Sequence, residues 1–308
     1  MTSSARSTTP SSGTAASDND APFGRIGIWS GALRSQDAEG LARISDAVAE
    51  LDELGFGTVW LGGSPSVADA RKVVQATRRI TVATGILSIW DHDAATVAAE
   101  TAQLEKEAPG RFVLGIGVSH SALAPQYAKP YSAMVSYLDG LDAAPEPVPA
   151  ARRVLAALGP KMLRLAADRA AGAHPYLVTA EHTAQARAAL GGEARLAPEL
   201  KVVLDTDLER ARATARETLA MYLQLPNYTD NLLRLGFAEE DLAGGGSNRL
   251  LDALFALGDV ETVTARLDAY YAAGADHVAL QVLDGDRHAG LPRAQWRELA
   301  TALGLTAA

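Results

Sequence analysis

The chain of 308 residues contains no cysteine, which excludes disulfides, thiolate zinc sites and cysteine nucleophiles. Aromatic residues make up only 6%, and the 28 Lys and Arg are outnumbered by 37 Asp and Glu, for a formal net charge of −9. That balance argues against a nucleic-acid partner. No stretch approaches the roughly 18–20 uninterrupted apolar residues of a membrane span. The N-terminus lacks the apolar block of a secretory signal, so a cytoplasmic protein with no membrane partner is expected. The six histidines show no metal-ligand spacing, and no HExxH is present. Asp91-His92-Asp93 and Asp284-Gly285-Asp286-Arg287-His288 read as solvated loops, and no metal is expected.

What is present suits an ordinary globular core: 48% hydrophobic and 21% charged residues. The length fits one large α/β barrel or two smaller domains. Residues 1–22 are rich in Ser, Thr and Ala and cannot bury enough surface to offset ordering entropy, so they are expected to be a disordered tail. Residues 23–308 are expected to form a single domain.

One event recurs. An apolar helix runs into Gly and a short apolar strand follows, at Leu54-Gly55-Phe56-Gly57-Thr58, at Ala171-Gly172-Ala173-His174-Pro175 and at Ala273-Gly274-Ala275-Asp276-His277. Gly ends a helix because it takes the left-handed conformation cheaply. Strands are expected at 25–29, 58–61, 80–84, 112–116, 154–157, 175–178, 200–204 and 276–282. Helical patterns fill 41–54, 94–107, 184–190, 207–223, 262–273 and 293–303. Alternation repeated eight times favours a (β/α)8 TIM barrel, with a doubly wound open sheet as the alternative. Segments 120–141 and 225–248 interrupt the repeat as long connections, the second carrying a short helix at 229–235, and 143–149 is a Pro-rich spacer. Long insertions in compact domains are often lids or binding loops.

In a barrel, chemistry sits in the loops after the strands. Those loops here carry Gly62-Gly63, Gly85-Ile86, Gly117-Val118-Ser119-His120, Gly159-Pro160 and Thr179-Ala180-Glu181-His182-Thr183. Small residues in four of the five suit a flat ligand lying against backbone, although Gly also simply makes tight turns. Gly115-Ile116-Gly117 lacks the third glycine of a dinucleotide fingerprint. Gly117-Val118-Ser119-His120-Ser121 fails the last position of a nucleophile elbow. Thr179 is a candidate N-cap whose helix would offer the amides of His182 and Thr183 to an anion such as phosphate. Tyr127, Tyr131 and Tyr228, with Phe237, are candidate walls for an apolar or aromatic small-molecule substrate.

At these loops the sequence resembles the luciferase-like monooxygenase superfamily, and within it the branch of probable F420 (deazaflavin)-dependent oxidoreductases. The resemblance runs through Thr84-Gly85-Ile86, Leu114-Gly115-Ile116-Gly117-Val118-Ser119-His120, Ala157-Leu158-Gly159-Pro160-Lys161 and Tyr176-Leu177-Val178-Thr179-Ala180-Glu181-His182-Thr183. It continues through Leu225-Pro226-Asn227-Tyr228 and Gly244-Gly245-Gly246-Ser247 to Ala273-Gly274-Ala275-Asp276-His277, covering about residues 24–304. It implies a (β/α)8 barrel with the cofactor ring in its mouth and a non-prolyl cis bond at Gly85–Ile86 beneath the ring. It further implies a phosphate loop at residues 179–183, and cofactor contacts from Gly62, Gly63, Gly85, Ile86, Gly117, Val118, Ser119, Gly159, Pro160, Thr179, Glu181, His182 and Thr183. The expected cofactor is coenzyme F420, with FMN as the alternative. His120 is the candidate catalytic residue, as proton donor or substrate hydrogen-bonding group. Two departures stand out: Gly62-Gly63 replaces the family's acid–His pair after strand two, and the phosphate loop lacks Lys or Arg. Lys129, Lys161, Arg234 and Arg249 are the candidate cations for an acidic cofactor tail. The readings kept open are an F420-dependent hydride-transfer enzyme, an FMN-dependent monooxygenase of the same fold, and a non-catalytic flavin-binding barrel. A homodimer is the default for such barrels.

Overall fold

The protein is described from a computed structural model, over residues 23–120, 127–285 and 290–306. The expected disorder of 1–22 lies outside those residues, as do Ser121 and positions 286–288 of the loop named above.

Among the described residues, eleven parallel strands form one sheet. They are β1 (Ile26–Ser30), β2 (Thr58–Leu61), β3 (Thr81–Thr84), β4 (Leu87–Ser88), β5 (Phe112–Gly117), β6 (Arg153–Leu155), β7 (Gly172–Ala173), β8 (Arg195–Leu196), β9 (Glu199–Leu204), β10 (Phe255–Gly258) and β11 (Val278–Val282). The pairing runs β10-β9-β11-β1-β2-β3-β5-β6-β7-β8, with β4 beside β5. Only Ala197 and Pro198 separate β8, at one end of this path, from β9, which lies between β10 and β11 near the other, so β8 and β9 are one bent strand and the sheet closes into a barrel with β10 beside the seam. Proline cannot donate to a ladder, and at this bend the chain passes from β7 to β11. The amides of Ala197 and Glu199 nevertheless bond the carbonyls of Ala173 and Pro175 at 2.9 Å, holding the seam.

Helices on the outside begin where short polar side chains can cap them. Asp37, Asp93, Asp207 and Asp259 cap the helices Ala38–Glu53, Ala94–Glu107, Leu208–Tyr222 and Val260–Ala272, and Ser66 forms a capping box on Val67–Gln75. Helices Pro130–Asp142, Pro160–Arg169 and Pro226–Arg234 open on proline, whose fixed φ suits a first turn. The main core lies between strands and helices, with Ile28, Val59, Leu114, Leu155, Leu200 and Leu280 facing outward from the barrel. A second cluster fills the barrel interior: Phe23, Trp29, Trp60, Ala83, Val113, Val154, Ala197 and Ala279. A satellite core joins Leu208–Tyr222 to Pro226–Arg234 and the helix Asn248–Leu254. The excursion at 225–248 is therefore a packed helical cap beside β9 and β10.

Two sequence expectations are corrected. Gly55 and Gly274 do end helices at positive φ (86° and 99°), but Gly172 is a strand residue. A Cβ there would lie 1.9 Å from the Arg195 carbonyl oxygen, so glycine permits strand contact. The strand expected at 175–178 is instead β7 at Gly172–Ala173; Pro175 lacks an amide hydrogen and Leu177 sits at φ 55°. Helices at Val67–Gln75, Pro130–Asp142 and Pro160–Arg169 and the strand Phe255–Gly258 were not legible. Among the described residues, no helix is long and apolar enough to cross a membrane.

Candidate active site

Among the described residues, the four non-glycine positions at positive φ are Ser64, Ser119, Lys129 and Leu177, in the connections after β2, β5 and β7. Such conformations persist where surrounding structure over-determines them and cluster at functional sites. All lie at the C-terminal mouth of the barrel, where the Gly85–Ile86 bond is cis, as the family resemblance implied.

The interior beneath the mouth is polar in a controlled way. Trp60 stacks on His174, with centroids 4.1 Å apart and planes within 8°. Its indole N–H donates to His277 Nε2 at 3.0 Å, so His277 is neutral and donates through Nδ1 to the Gly24 carbonyl, also at 3.0 Å. His174 donates through Nδ1 to the Ala197 carbonyl at 2.6 Å, and its Nε2 has no partner among the described residues. Burial drives both imidazoles down, His174 to about 4 and His277 to about 3. Nearer the mouth, Lys201 and Glu199 project inward from β9 as a fully buried ion pair, Nζ to Oε1 2.9 Å. Burial pulls each toward its neutral form, the carboxyl up and the ammonium down, against their mutual attraction. Glu199 also accepts from the Leu177 amide at 3.2 Å, and Lys201 Nζ stands 3.8 Å over the Tyr176 ring.

An aromatic line crosses the mouth. Trp29 meets Tyr176 at 5.1 Å, Tyr176 meets Tyr222 at 5.5 Å, Tyr222 meets Tyr228 at 5.5 Å, and Tyr228 meets His120 at 5.1 Å. The Tyr176 hydroxyl donates to Gln281 Oε1 at 2.8 Å and lies 2.7 Å from the Tyr222 hydroxyl. With its one hydrogen on Gln281, Tyr176 accepts from Tyr222. His120 Nδ1 is 3.0 Å from Asn227 Oδ1. The amide oxygen accepts, so Nδ1 carries the hydrogen and Nε2 presents a lone pair. Burial holds this imidazole below its ordinary value, against the Asn227 bond that raises it. A cavity of about 360 Å³ lies at the strand ends between β1 and β11, with Trp29, Ser30, Gln281, Leu283 and Pro292 in its wall. That volume is within the range of small-molecule pockets. Another, of about 270 Å³, lies on the outer helices around Val67, Arg71 and Gln103, away from the mouth.

The expected site residues gather at this mouth with different surroundings. A Cβ on Gly62 or Gly85 would strike the Trp29 indole, at 2.3 and 2.9 Å. Gly117 gives way to Ile86, whose Cδ1 would be 2.7 Å from a Cβ, and Gly159 faces open space. The carbonyl of Gly63 accepts from Arg34 at 2.6 Å. The Val118 carbonyl accepts from Trp90 at 2.5 Å, next to Ser119, and Pro160 opens its helix. Thr179 caps the helix Ala180–Leu190, as expected. The amides it was expected to leave for an anion are engaged, however: His182 N–H by Thr179 Oγ1 at 3.2 Å and Thr183 N–H by the Thr179 carbonyl at 3.0 Å. The amides left over are those of Ala180 and Glu181, the first two of the helix. Glu181 is exposed, whereas His182 is buried, donates through Nε2 to the Leu158 carbonyl at 3.0 Å, and has no partner for Nδ1 among the described residues. Of the expected walls, Tyr228 reaches His120. Tyr127 packs on Trp90 with centroids 6.0 Å apart, Tyr131 is 44% exposed, and Phe237 lies under Arg249. Arg249 is paired with Asp241 at 2.6 Å. Among the described residues there is no cluster that would hold a metal ion, and Asp93 is a helix cap.

The family model for luciferase-like monooxygenases matches residues 25–135 and 130–277. The chain belongs to the luciferase-like monooxygenase family. No curated protein matches it. Among solved structures, this luciferase-like chain is similar to an F420-dependent secondary alcohol dehydrogenase in complex with an F420–acetone adduct (14% identity, 91% of this chain and 98% of that one, TM-score 0.69). It is similar to the coenzyme F420-dependent tetrahydromethanopterin reductase of Methanopyrus kandleri (16% identity, 89% and 96%, TM-score 0.70). A third is the oxygenating constituent of 3,6-diketocamphane monooxygenase of Pseudomonas putida in complex with FMN (14% identity, 92% and 98%, TM-score 0.67). At such identities these likenesses establish the shared barrel. Sequence reasoning missed several groups of the luciferase-like mouth, namely Trp29, Tyr176, Tyr222, Asn227, Glu199 and Lys201. The Glu-Leu-Lys-Val alternation at 199–202 is readable as a strand with one polar face, and here that face points into the barrel.

Proposed function

We propose that this luciferase-like protein is an F420 (deazaflavin)-dependent oxidoreductase that moves a hydride between the cofactor ring and a small organic substrate. The observation that carries this reading is His120, whose tautomer is fixed by Asn227 so that Nε2 keeps its lone pair on a ring packed against Tyr228. The residues fit a ring with a phosphate-bearing tail. Gly159 leaves open space at the rim, and the amides of Ala180 and Glu181 beside the buried, unpartnered Nδ1 of His182 supply donors at a helix N-terminus. When bound, the deazaflavin supplies the carbon that gives or takes the hydride. His120 takes the hydroxyl proton of an alcohol at Nε2 as the hydride leaves, or returns it to a carbonyl oxygen in reverse. Tyr228 and the cap around Pro226–Arg234 wall the substrate and exclude water.

A second reading, FMN with oxygen chemistry, is favoured by charge. The net charge of −9 and the pairing of Arg249 with Asp241 reduce the attraction for a polyanionic F420 tail. Titrating the purified protein separately with F420 and FMN, and following cofactor fluorescence, decides between them. Tighter binding of F420 and reduction or oxidation of that cofactor on turnover are expected. Binding of FMN alone would overturn the F420 assignment. Cofactor binding with no hydride transfer to any acceptor would leave a non-catalytic barrel. His120→Ala should lower turnover while cofactor affinity holds, and unchanged turnover would remove His120 from the mechanism.

A further inference from the structure

The glycines after β2 and β3 have a definite occupant. Cβ atoms on Gly62 and Gly85 would fall 2.3 and 2.9 Å from the Trp29 indole, so two neighbouring strands are bare in order to seat that ring. Trp29 Nε1–H donates to the Gly85 carbonyl at 2.9 Å, which fixes the ring's rotation. Tyr176 abuts it at 5.1 Å, and the interior cluster of Trp60 and Ala83 lies in the same packed group. Trp29 is 8% exposed, and among the described residues it is the aromatic side chain in the wall of the cavity between β1 and β11. Tyr176 has Lys201 Nζ over its ring at 3.8 Å.

We infer that Trp29 is the floor on which a planar heteroaromatic ligand packs at the mouth, and therefore a specificity-determining residue for the ring of the cofactor. This rests on the reading above that the mouth takes a deazaflavin or flavin. The alternative, a plug that the ligand must expel, conflicts with the surroundings. Expelling Trp29 would leave the Gly85 carbonyl without its indole donor and would break the ring's contact with Tyr176. A ring lying on Trp29 leaves those contacts intact and gains offset aromatic contact.

The test uses the full chain with riboflavin, FMN and F420 as ring probes and inorganic phosphate as the ringless control. Wild type, Trp29→Leu and Trp29→Phe are titrated by quenching of probe fluorescence, and tryptophan emission is followed in a Trp90→Phe background. Trp29→Leu is expected to weaken riboflavin and FMN by the same factor, roughly five- to tenfold, and to leave phosphate affinity unchanged. It should also remove most of the ligand-induced quenching of tryptophan. Trp29→Phe keeps a ring in the slot and is expected to hold affinity within about threefold, which separates a lost floor from a folding defect. Unchanged or tighter ring binding by Trp29→Leu would overturn the inference while leaving the cofactor reading standing. Failure of wild type to bind any ring probe would overturn both.

Discussion

Two histidines sealed inside the barrel make the fold acid-sensitive in a window where few other groups titrate. His174 and His277 are held neutral, near 4 and 3 against an ordinary value of 6.5, because burial penalises the imidazolium. A depressed histidine binds its proton more readily in the unfolded chain. Stability from each is therefore complete above pH 6.5 and is lost as pH falls toward the folded value. At pH 5 each imidazole contributes about 2 kcal/mol of loss, so the pair accounts for about 4 kcal/mol between pH 7 and pH 5. The lowered carboxylates, Glu50 and Asp69 among them, act only below the ordinary carboxylate range, and the raised Glu199 carboxyl acts with the opposite sign, gaining stability as pH falls. His120 and His182, also lowered by burial, steepen the loss further. Urea unfolding at closely spaced pH values reads the slope directly. His277→Asn and His174→Asn preserve a donor at the Nδ1 position and should each remove about 2 kcal/mol of the pH-dependent loss, whatever they do to stability at pH 7. A wild-type stability that is flat from pH 7 to 5, or variants with an undiminished slope, would refute the assignment of neutral buried imidazoles.

Further outcomes follow from the same interior. Lys201→Met strands the Glu199 carboxylate and should cost about 3–5 kcal/mol at pH 7. Without the ammonium the carboxyl rises further, so the variant regains stability as pH falls toward the ordinary carboxylate value. Replacing both partners, Glu199→Leu with Lys201→Met, should recover most of the loss in urea titrations, and a single variant as stable as wild type would exclude a charged pair. Gly172→Ala should lose about 3 kcal/mol or more, because its Cβ meets a strand carbonyl at 1.9 Å, whereas Gly192→Ala, in open space, should stay within about 0.5 kcal/mol of wild type. Asn227→Ala frees the His120 tautomer and should lower kcat about tenfold, shift the acidic limb of the rate profile downward and leave cofactor affinity intact. Steady-state kinetics across pH checks all three.

The barrel was legible where local chemistry and tertiary demand agree. Gly55 and Gly274 end helices by the rule that located them, and the Thr179 cap forms as its position suggests. Legibility failed where a residue answers to a distant partner. Gly172 is glycine because of the Arg195 carbonyl, and Gly62 because of Trp29, neither of which lies nearby in the chain. Phe255–Gly258 was hidden because its apolar residues run on directly from the helix Asn248–Leu254. The site divides the same way. His120 and Tyr228 could be named from loop position, but their meeting depends on the folded excursion that delivers Asn227. The inward charges of β9 read locally as a wetted surface, because only closure of the sheet determines that this side is interior.

Closure carries its own kinetic implication. β1 completes one of its ladders by pairing Ile26, Gly27 and Ile28 with Val278, Ala279 and Leu280, partners far apart in the chain. At cellular synthesis rates the first strand waits roughly 12–50 s before its second neighbour leaves the ribosome. Throughout that interval a hydrogen-bonding edge flanked by Ile and Trp is bare, so it is open to pairing with other chains while synthesis continues.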